Sequence, residues 1–597
     1  MDPVHGSIQL DKYLFKIIDR PEFQRLRKIK QFGGVYYVYP GGVHTRFEHS
    51  IGVCYIAGQL VDALNKHRPP DEENLSKWFT QEEKMCVQIA ALCHDIGHGP
   101  FSHVYDFAVK EYYKELKTKP NGLKEMKEFI TSKEDEYGDN KNVDSYVEKK
   151  ELPKAKHKYR SALIVKRLMD KLTFEELEKD KDSYIRLIQH MITFSERDLN
   201  DVETKEKFWP IELPSGKTYK DKAFLFEIVA NRITGIDVDK MDYFARDARS
   251  VGLPNSFDWR RFTQTAKIIK CDEDGFHHIC SRDKDALSLY ELFHTRNVLY
   301  RSVYRHKTVV IVEDLIKKAL QNATIKVEVK GKDDGIESYP LLKCWQNMDA
   351  FLLIDDSIED FIMKEVHVIT EPMQSSDDSE TTESQQLQQL CIKKADSTDE
   401  TSPRKYFIDI RDRKLPKFLG RTNKAKLDDT DWKKWKDWKH EDIAICAAKE
   451  KSEVKKIKEK IIPLPVKFSY GKGSKDPIQP HFFYGKFYPQ HPFHIEKEEV
   501  SKILPSNFEE EEVFWYYDMK DDHDDETKAI ARSLWECLNT HKLPTEFKSA
   551  LEGSYARKGK LYKEERNYAG DDHLEHFQKI IESLSLLITS PYKDSLL

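Results

Sequence analysis

C-H-D-I-G-H-G-P-F-S-H, residues 93–103, sets His94 beside Asp95 and follows the pair with His98 and His103. A lone His-Asp dipeptide arises often by chance and usually sits on a solvated face. Here it has R-F-E-H, residues 46–49, upstream and D-V-D-K-M-D-Y-F-A-R-D, residues 237–247, downstream, so His49, His94, Asp95 and Asp239 form a candidate metal site. Two imidazoles and two carboxylates suit iron, manganese, zinc, nickel or cobalt better than calcium. Four protein ligands on a six-coordinate ion leave room for a water and a phosphate oxygen. A structural ion or a satisfied polar core network is the alternative reading of the same residues.

Local patterns place these side chains. Thr80 and Glu83 make a T-x-x-E start signal, and Met85, Val87, Ile89, Ala90 and Leu92 fill a buried helix that delivers His94 and Asp95 at its end, where Gly97, Gly99 and Pro100 stop it. A second helix carries Asp239, Tyr243 and Asp247 along one face with Lys240 beside them. His98, His103 and His157 are suited to contact phosphate or to protonate a leaving oxygen, since an imidazole titrates near ~6.5. Asp106 can orient one of them. Arg46, on the same helical face as His49, and Lys240 are placed to clamp phosphate oxygens.

The 597 residues allow two to four domains, and a mean hydropathy of -0.70 with 34% charged residues describes a chain with much polar surface. No apolar run reaches membrane-span length and the N-terminus lacks signal-peptide regions, so an intracellular location, nucleus or cytoplasm, is expected. Nine cysteines without C-x-x-C spacing fit reduced thiols. A net charge of -6 gives no global case for nucleic-acid binding.

Along the chain we expect a helical catalytic core over residues 1–323 with a surface insertion at about 112–156, and a connecting α/β segment over 324–370 that includes the alternating I-K-V-E-V-K at 325–330. An acidic, Ser/Thr-rich disordered linker follows over 371–403. Residues 404–460 read as a basic helical segment and 461–597 as a C-terminal regulatory or oligomerisation lobe with a terminal helix near 576–589. The fold class is mainly α, with a smaller mixed α/β C-terminal lobe. T-S-P-R-K, residues 401–405, has the form of a proline-directed kinase site at Ser402. Trp432, Trp435 and Trp438 share one helical side with lysines between them, a packing face that could also stack on single-stranded nucleic acid.

The H…HD…D pattern is the signature of the HD-domain metal-dependent phosphohydrolases. The surrounding strings, D-P-V-H-G (2–6), F-Q-R-L-R-K-I-K-Q (23–31), R-F-E-H-S (46–50), G-I-D-V-D-K-M-D-Y-F-A-R-D (235–247) and F-H-T-R-N (293–297), closely resemble the SAM and HD domain-containing deoxynucleoside triphosphate triphosphohydrolases. The match runs to about residue 307, then weakens until D-P-I-Q-P-H-F-F-Y-G-K at 476–486. The resemblance implies an HD helical core, an iron, manganese or zinc ion at the four ligands, magnesium with the nucleotide phosphates, and hydrolysis of a dNTP to deoxynucleoside and inorganic triphosphate. In that scheme water attacks the α-phosphorus and the nucleoside 5′-oxygen leaves. His103 matches the general acid, and His98, Asp106 and His157 match other catalytic or phosphate-contacting positions. Gln31, Arg46, Lys240, Tyr243, Asp247, Arg296 and Tyr304 match substrate contacts, Tyr304 excluding a ribose 2′-hydroxyl by bulk.

The resemblance also implies activation by GTP or dGTP and by dNTPs that assemble a homo-oligomer, a tetramer, and a place in dNTP catabolism and antiviral defence. Asp19, Gln24 and Arg27 match guanine-reading positions; Val38, Arg261, Arg282, Lys284, His306, Lys307 and Lys486 match further activator contacts. Departures mark the chain. It begins inside the family's catalytic module, so no SAM domain is expected, and Met1 stands where relatives complete the first activator site. Ser288 and Ser302 replace an expected Asn and Arg, and Lys158 follows His157 where Glu is expected. Two other classes fit the residues less well: a nucleic-acid-binding or scaffold protein on a weakly active HD fold, and an HD phosphodiesterase acting on another nucleotide.

Overall fold

The computed structural model describes residues 1–67, 78–118, 156–193, 219–331, 335–364, 366–371, 389–394, 402–423, 460–518, 532–534 and 545–547. The helix announced by T-x-x-E is Gln81–Cys93. Its reciprocal cap is in place: Glu83 N–H donates to Thr80 Oγ1 at 3.2 Å, and Thr80 N–H donates to the Glu83 carboxylate at 2.9 Å. Ten of its residues are buried, because it is the central rod of the core, packed against Arg46–Lys66 and Lys181–Thr193. Each large apolar side chain taken out of water there contributes about 1.5–3 kcal/mol. Arg46–Lys66 opens with the same device, Thr45 and Glu48 capping each other.

Two close approaches require glycine. A Cβ on Gly52 would lie 1.9 Å from Asp242 Oδ1, so the bare Cα lets Arg46–Lys66 seat itself against Val238–Ser250. A Cβ on Gly97 would stand 2.3 Å from both the His157 carbonyl oxygen and the Ser161 nitrogen, which brings the loop after His94 against the start of the His157–Lys171 helix. Between these elements the helix Ala286–Leu299 runs into a π-helical turn, Tyr300–Tyr304, before Lys307–Asn322 begins. Such widened turns are rare and concentrate where side chains must be re-aimed.

Strands enter earlier than the alternating pattern at 325–330 suggests. Lys267–Lys270 pairs antiparallel with His277–Arg282, which runs parallel to Phe483–Tyr484, itself antiparallel to Pro492–Phe493. The segment after residue 467 thereby returns to the core. The strand expected at 325–330 is Lys326–Lys330, paired with Ile336–Pro340. Within the linker expected to be disordered, Gln389–Lys394 is a strand paired with Val366–Glu371, and Ser402 directly precedes the helix Pro403–Arg411, whose Phe407 and Ile410 are buried. Residues 112–118 of the insertion expected at about 112–156 instead finish the helix His103–Thr118, with Tyr113 and Leu116 buried; its residues 119–155, the linker's other residues at 372–388 and 395–401, Trp432, Trp435 and Trp438, and the terminal helix near 576–589 lie outside the described residues.

The chain is mainly α, an HD helical core with a smaller sheet-containing C-terminal region. It divides into two compact units, Met1–Leu415 with Lys467–Glu510, and Pro416–Val466 with Glu511–Leu597. A four-stranded sheet, in the order Thr545–Phe547, Lys417–Asn423, Glu509–Tyr517, Ile461–Ser469, accompanies the second unit, where buried Trp515 donates its indole N–H to Thr422 Oγ1 at 2.8 Å. Among the described residues no helix is long and apolar enough to cross a membrane.

Candidate active site

His49 and His94 come from different helices and face one another, with ring centroids 5.2 Å apart. Each has its Nδ1 occupied: His49 Nδ1 lies 2.7 Å from Asp242 Oδ2, and His94 Nδ1 lies 2.8 Å from the Ala91 carbonyl oxygen. With Nδ1–H donating, each imidazole turns the lone pair of Nε2 inward. Both Nε2 atoms are buried and make no hydrogen bond. They converge on Asp239 Oδ1, at 3.2 and 3.4 Å, and on Asp95 Oδ2, at 3.5 and 3.6 Å. Orphaned buried nitrogens are costly unless something sits between them. Donor atoms about 3 Å apart, aimed at a common point, are the spacing a shared ion with metal–ligand bonds of about 2.1 Å requires. The donor set therefore fits a divalent metal. His49, His94 and Asp239 form a tight cluster; the Asp95 oxygen that approaches them also accepts from Arg46.

The electrostatics say the same. Burial works against a charged His49, yet Asp239, Asp242 and Asp95 carry it up to about 10, and His94 is raised against its own burial by Asp95 and Asp239. Burial pushes Asp95 upward, but Arg46, His94 and His98 hold it well below the usual carboxylate range. The carboxylates make this a place that favours positive charge, and an ion bound there would release any protons the ligands hold.

A second histidine cluster adjoins the first. His98 stacks on His157, with centroids 3.9 Å apart, and meets His103 edge to face at 4.9 Å; its Nε2 is 3.3 Å from Asp95 Oδ1. Asp106 holds His157 through Nδ1 at 2.7 Å and also takes Arg160. Burial, Arg46 and His157 push His98 well below its ordinary value. His103 opens onto the cavity and is exposed there, but its surroundings, His157 and Arg46 likewise press it downward.

Both clusters lie in or against the wall of one cavity of about 880 Å³. Gln31, Arg46, Asp95, His98, His103, His157, Asp239, Lys240, Tyr243, Asp247, Arg296 and Tyr304 all line it. Arg46 is anchored by donating to Asp95 and, at 2.8 Å, to Ser102 Oγ. Phe101 and Ser102 both adopt positive φ, 55° and 56°, in a turn held by Phe101 N–H to Asp356 at 2.7 Å and Ser102 Oγ–H to the Lys30 carbonyl at 2.6 Å. Lys240 reaches Asp237 at 2.7 Å; Asp247 accepts from Tyr304 at 2.5 Å and meets His44 at 2.7 Å; Arg296 donates to Ser469.

The expected activator residues fall elsewhere, in three groups. Arg27 donates to Gln24 at 2.8 Å near Asp19, which ends the Lys12–Ile18 helix. Arg261 pairs with Asp285 at 2.6 Å and Arg282 with Asp283 at 2.8 Å, beside Lys284, while Asp283 and Lys486 line one surface pocket. His306 caps the Lys307–Asn322 helix, its ring 6.0 Å from that of Tyr39, next to Val38.

Sequence reasoning missed Asp242, which takes His49, His5 at 2.6 Å and Arg246 at 2.9 Å together. Its signal was the Asp-to-Arg spacing of four, three residues after Asp239 on the same helix. Ser102, Tyr300, Arg305, Glu313 and Lys472 also line the cavity; only the fold collects them.

A helical core that closes a His, His-Asp, Asp centre at a cation-lined cavity defines an HD-domain protein, and the HD domain model matches residues 46–247. The chain is similar to the deoxynucleoside triphosphate triphosphohydrolase SAMHD1 of Gallus gallus, 34% identical over 87% of this chain and 72% of that one. It is 32% identical to that of Homo sapiens over 86% and 69%, and 29% identical to the SAMHD1 homolog of Dictyostelium discoideum over 86% and 76%. The chain belongs to the SAMHD1 family.

Proposed function

We propose that this chain is a hydrolase that converts dNTPs to deoxynucleoside and inorganic triphosphate. The observation that carries the reading is the pair of unpartnered Nε2 atoms of His49 and His94, converging with Asp239 and Asp95 at one side of a cation-lined cavity. A divalent transition ion bound there, iron, manganese or zinc, supplies Lewis-acid polarisation of the phosphorus and a more acidic water. Arg46 and Lys240 neutralise phosphate oxygens, and magnesium accompanies the rest of the triphosphate.

A bond forms between water oxygen and the α-phosphorus while the bond to the nucleoside 5′-oxygen breaks. His103 gives that oxygen its proton, and the attacking water loses one of its own to solvent, so the imidazole can be reprotonated for the next turnover. His103 gains proton affinity when the polyphosphate brings negative charge alongside it. Asp106 fixes His157 through Nδ1 and leaves its Nε2 for the phosphates, with His98 stacked behind. Tyr304 and Asp247, joined by their hydrogen bond, form the wall against the sugar, and Gln31, Tyr243 and Arg296 complete the contacts. GTP or dGTP at Asp19, Gln24 and Arg27, and dNTPs at Val38, Arg261, Arg282, Lys284, His306, Lys307 and Lys486, activate the enzyme as a homotetramer in this reading, which rests on the matched residues.

Incubation with manganese or iron, dATP and GTP tests it: deoxyadenosine and inorganic triphosphate should appear in equal amounts. Release of pyrophosphate or of orthophosphate as the first product would overturn the assignment. Sedimentation with and without GTP reads the assembly.

A further inference from the structure

Arg305 and Glu313 both line the catalytic cavity, yet neither belongs to the metal cluster or to the histidine cluster. Arg305 directly follows Tyr304 at the end of the π-helical turn, and Glu313 projects from the Lys307–Asn322 helix beside Gly33. Gly33 adjoins the carboxylate: a Cβ there would stand 3.5 Å from Glu313 Oε1, in ordinary contact. The two side chains are 30% and 21% exposed, and their closest approach, Nη1 to Oε2, is 3.9 Å. That distance is too long for a hydrogen bond. Among the described residues no side-chain hydrogen bond is made by either. Three other charged groups of this cavity are tied down, Arg46 by Ser102, Lys240 by Asp237 and Asp247 by Tyr304. A guanidinium and a carboxylate standing side by side, each with its hydrogen-bonding capacity open, form a recognition pair.

We propose that Arg305 and Glu313 read the nucleobase of the substrate and select guanine, an inference that rests on the dNTP-hydrolase reading of this cavity. With the triphosphate at the metal end and the sugar against Tyr304, the base lies beside the residue that follows Tyr304. Of the four bases only guanine presents two adjacent donors, N1–H and N2–H, to a single carboxylate. Its O6 and N7 acceptors lie on the neighbouring edge, within reach of a guanidinium fork. Adenine, cytosine and thymine each offer a carboxylate one donor group, so they leave part of Glu313 unpaired. Burial pushes the Glu313 carboxyl up to about 7, against the pull of Arg305. A base that donates two N–H groups relieves that cost, and one that donates a single group relieves less.

The test is internal competition. The full chain is given manganese, saturating GTP and equal concentrations of dATP, dCTP, dGTP and dTTP, and the four nucleosides are followed in one reaction, so all are read in the same activation state. Deoxyguanosine should form on the order of 10-fold faster than thymidine. In Glu313→Gln, whose amide nitrogen opposes N2–H, the ratio should fall toward one, and Arg305→Gln should lower it independently. A merely structural defect would lower all four products together and leave their ratio alone, which would overturn the proposal. Equal release of four nucleosides by the unaltered chain overturns base selection and leaves the hydrolase reading standing. Absence of any nucleoside overturns both.

Discussion

His49 gives its Nδ1 proton to Asp242, 2.7 Å away, and that single contact decides which nitrogen of the imidazole faces Asp239. Partners behind a metal-ligating histidine commonly fix its tautomer and raise its basicity. Asp242 does this from full burial while also holding His5 and Arg246, so it joins the N-terminal segment to the metal end of the pocket.

Asp242→Asn should therefore weaken metal binding about 10- to 100-fold, although Asp242 is not itself a ligand. Metal content after dialysis against a graded chelator measures this. Unchanged metal content with unchanged melting temperature would remove Asp242 from the site.

Replacing Asp106 by Asn should cost on the order of 10²-fold in kcat with a smaller change in KM, because His157 and Arg160 lose the carboxylate that orients both. Steady-state kinetics on dATP, with metal content checked to be normal, separates this from loss of the ion. Equal kcat values in the two proteins would assign Asp106 a purely structural role.

Gly97→Ala should destabilise the first unit by about 1–3 kcal/mol or prevent folding, since the added methyl meets backbone at the His157 end of the helix. Denaturant unfolding of the two proteins provides the comparison. A fully stable variant would mean that the close approach of residue 97 to His157–Lys171 is not what the glycine serves.

His278 stands between Glu227 at 2.5 Å and Asp274 at 2.8 Å. Burial disfavours its charge, but the two carboxylates carry it up to about 11. The folded value thus lies above the unfolded value of about 6.5. Its contribution to stability is fully present below about 6.5 and is lost as pH rises toward 11. The melting temperature of the unaltered protein should accordingly exceed that of His278→Gln most at pH 6 and least at pH 10. A constant gap would show that the imidazole stays neutral when folded.

The motif around His94 was legible because its chemistry is dense and local: the capping pair Thr80 and Glu83 set the helix, and Gly97, Gly99 and Pro100 marked its end. Asp239, Tyr243 and Asp247 were legible for the same reason, one helix and one face. Glu313 and Arg305 were not. Each is an ordinary charged residue in its own segment, and only the π-helical turn and the helix that follows it bring them to the cavity. The strands Lys267–Lys270 and His277–Arg282 escaped because they are short, and their partner Phe483–Tyr484 lies about two hundred residues away, beyond the reach of any local pattern.

Val238–Ser250 carries Asp239 at the metal end of the cavity and Asp247 at the Tyr304 end, with Tyr243 between them. Eight residues of helix at 1.5 Å each make a span of about 12 Å. The helix is therefore a ruler, and its graduations are whole turns. An inserted or deleted residue would swing Asp247 about 100° away from the cavity rather than shift it slightly. The two ends of the cavity are thus locked to a common length. Evolution can retune either end by substitution, but it cannot slide the two apart.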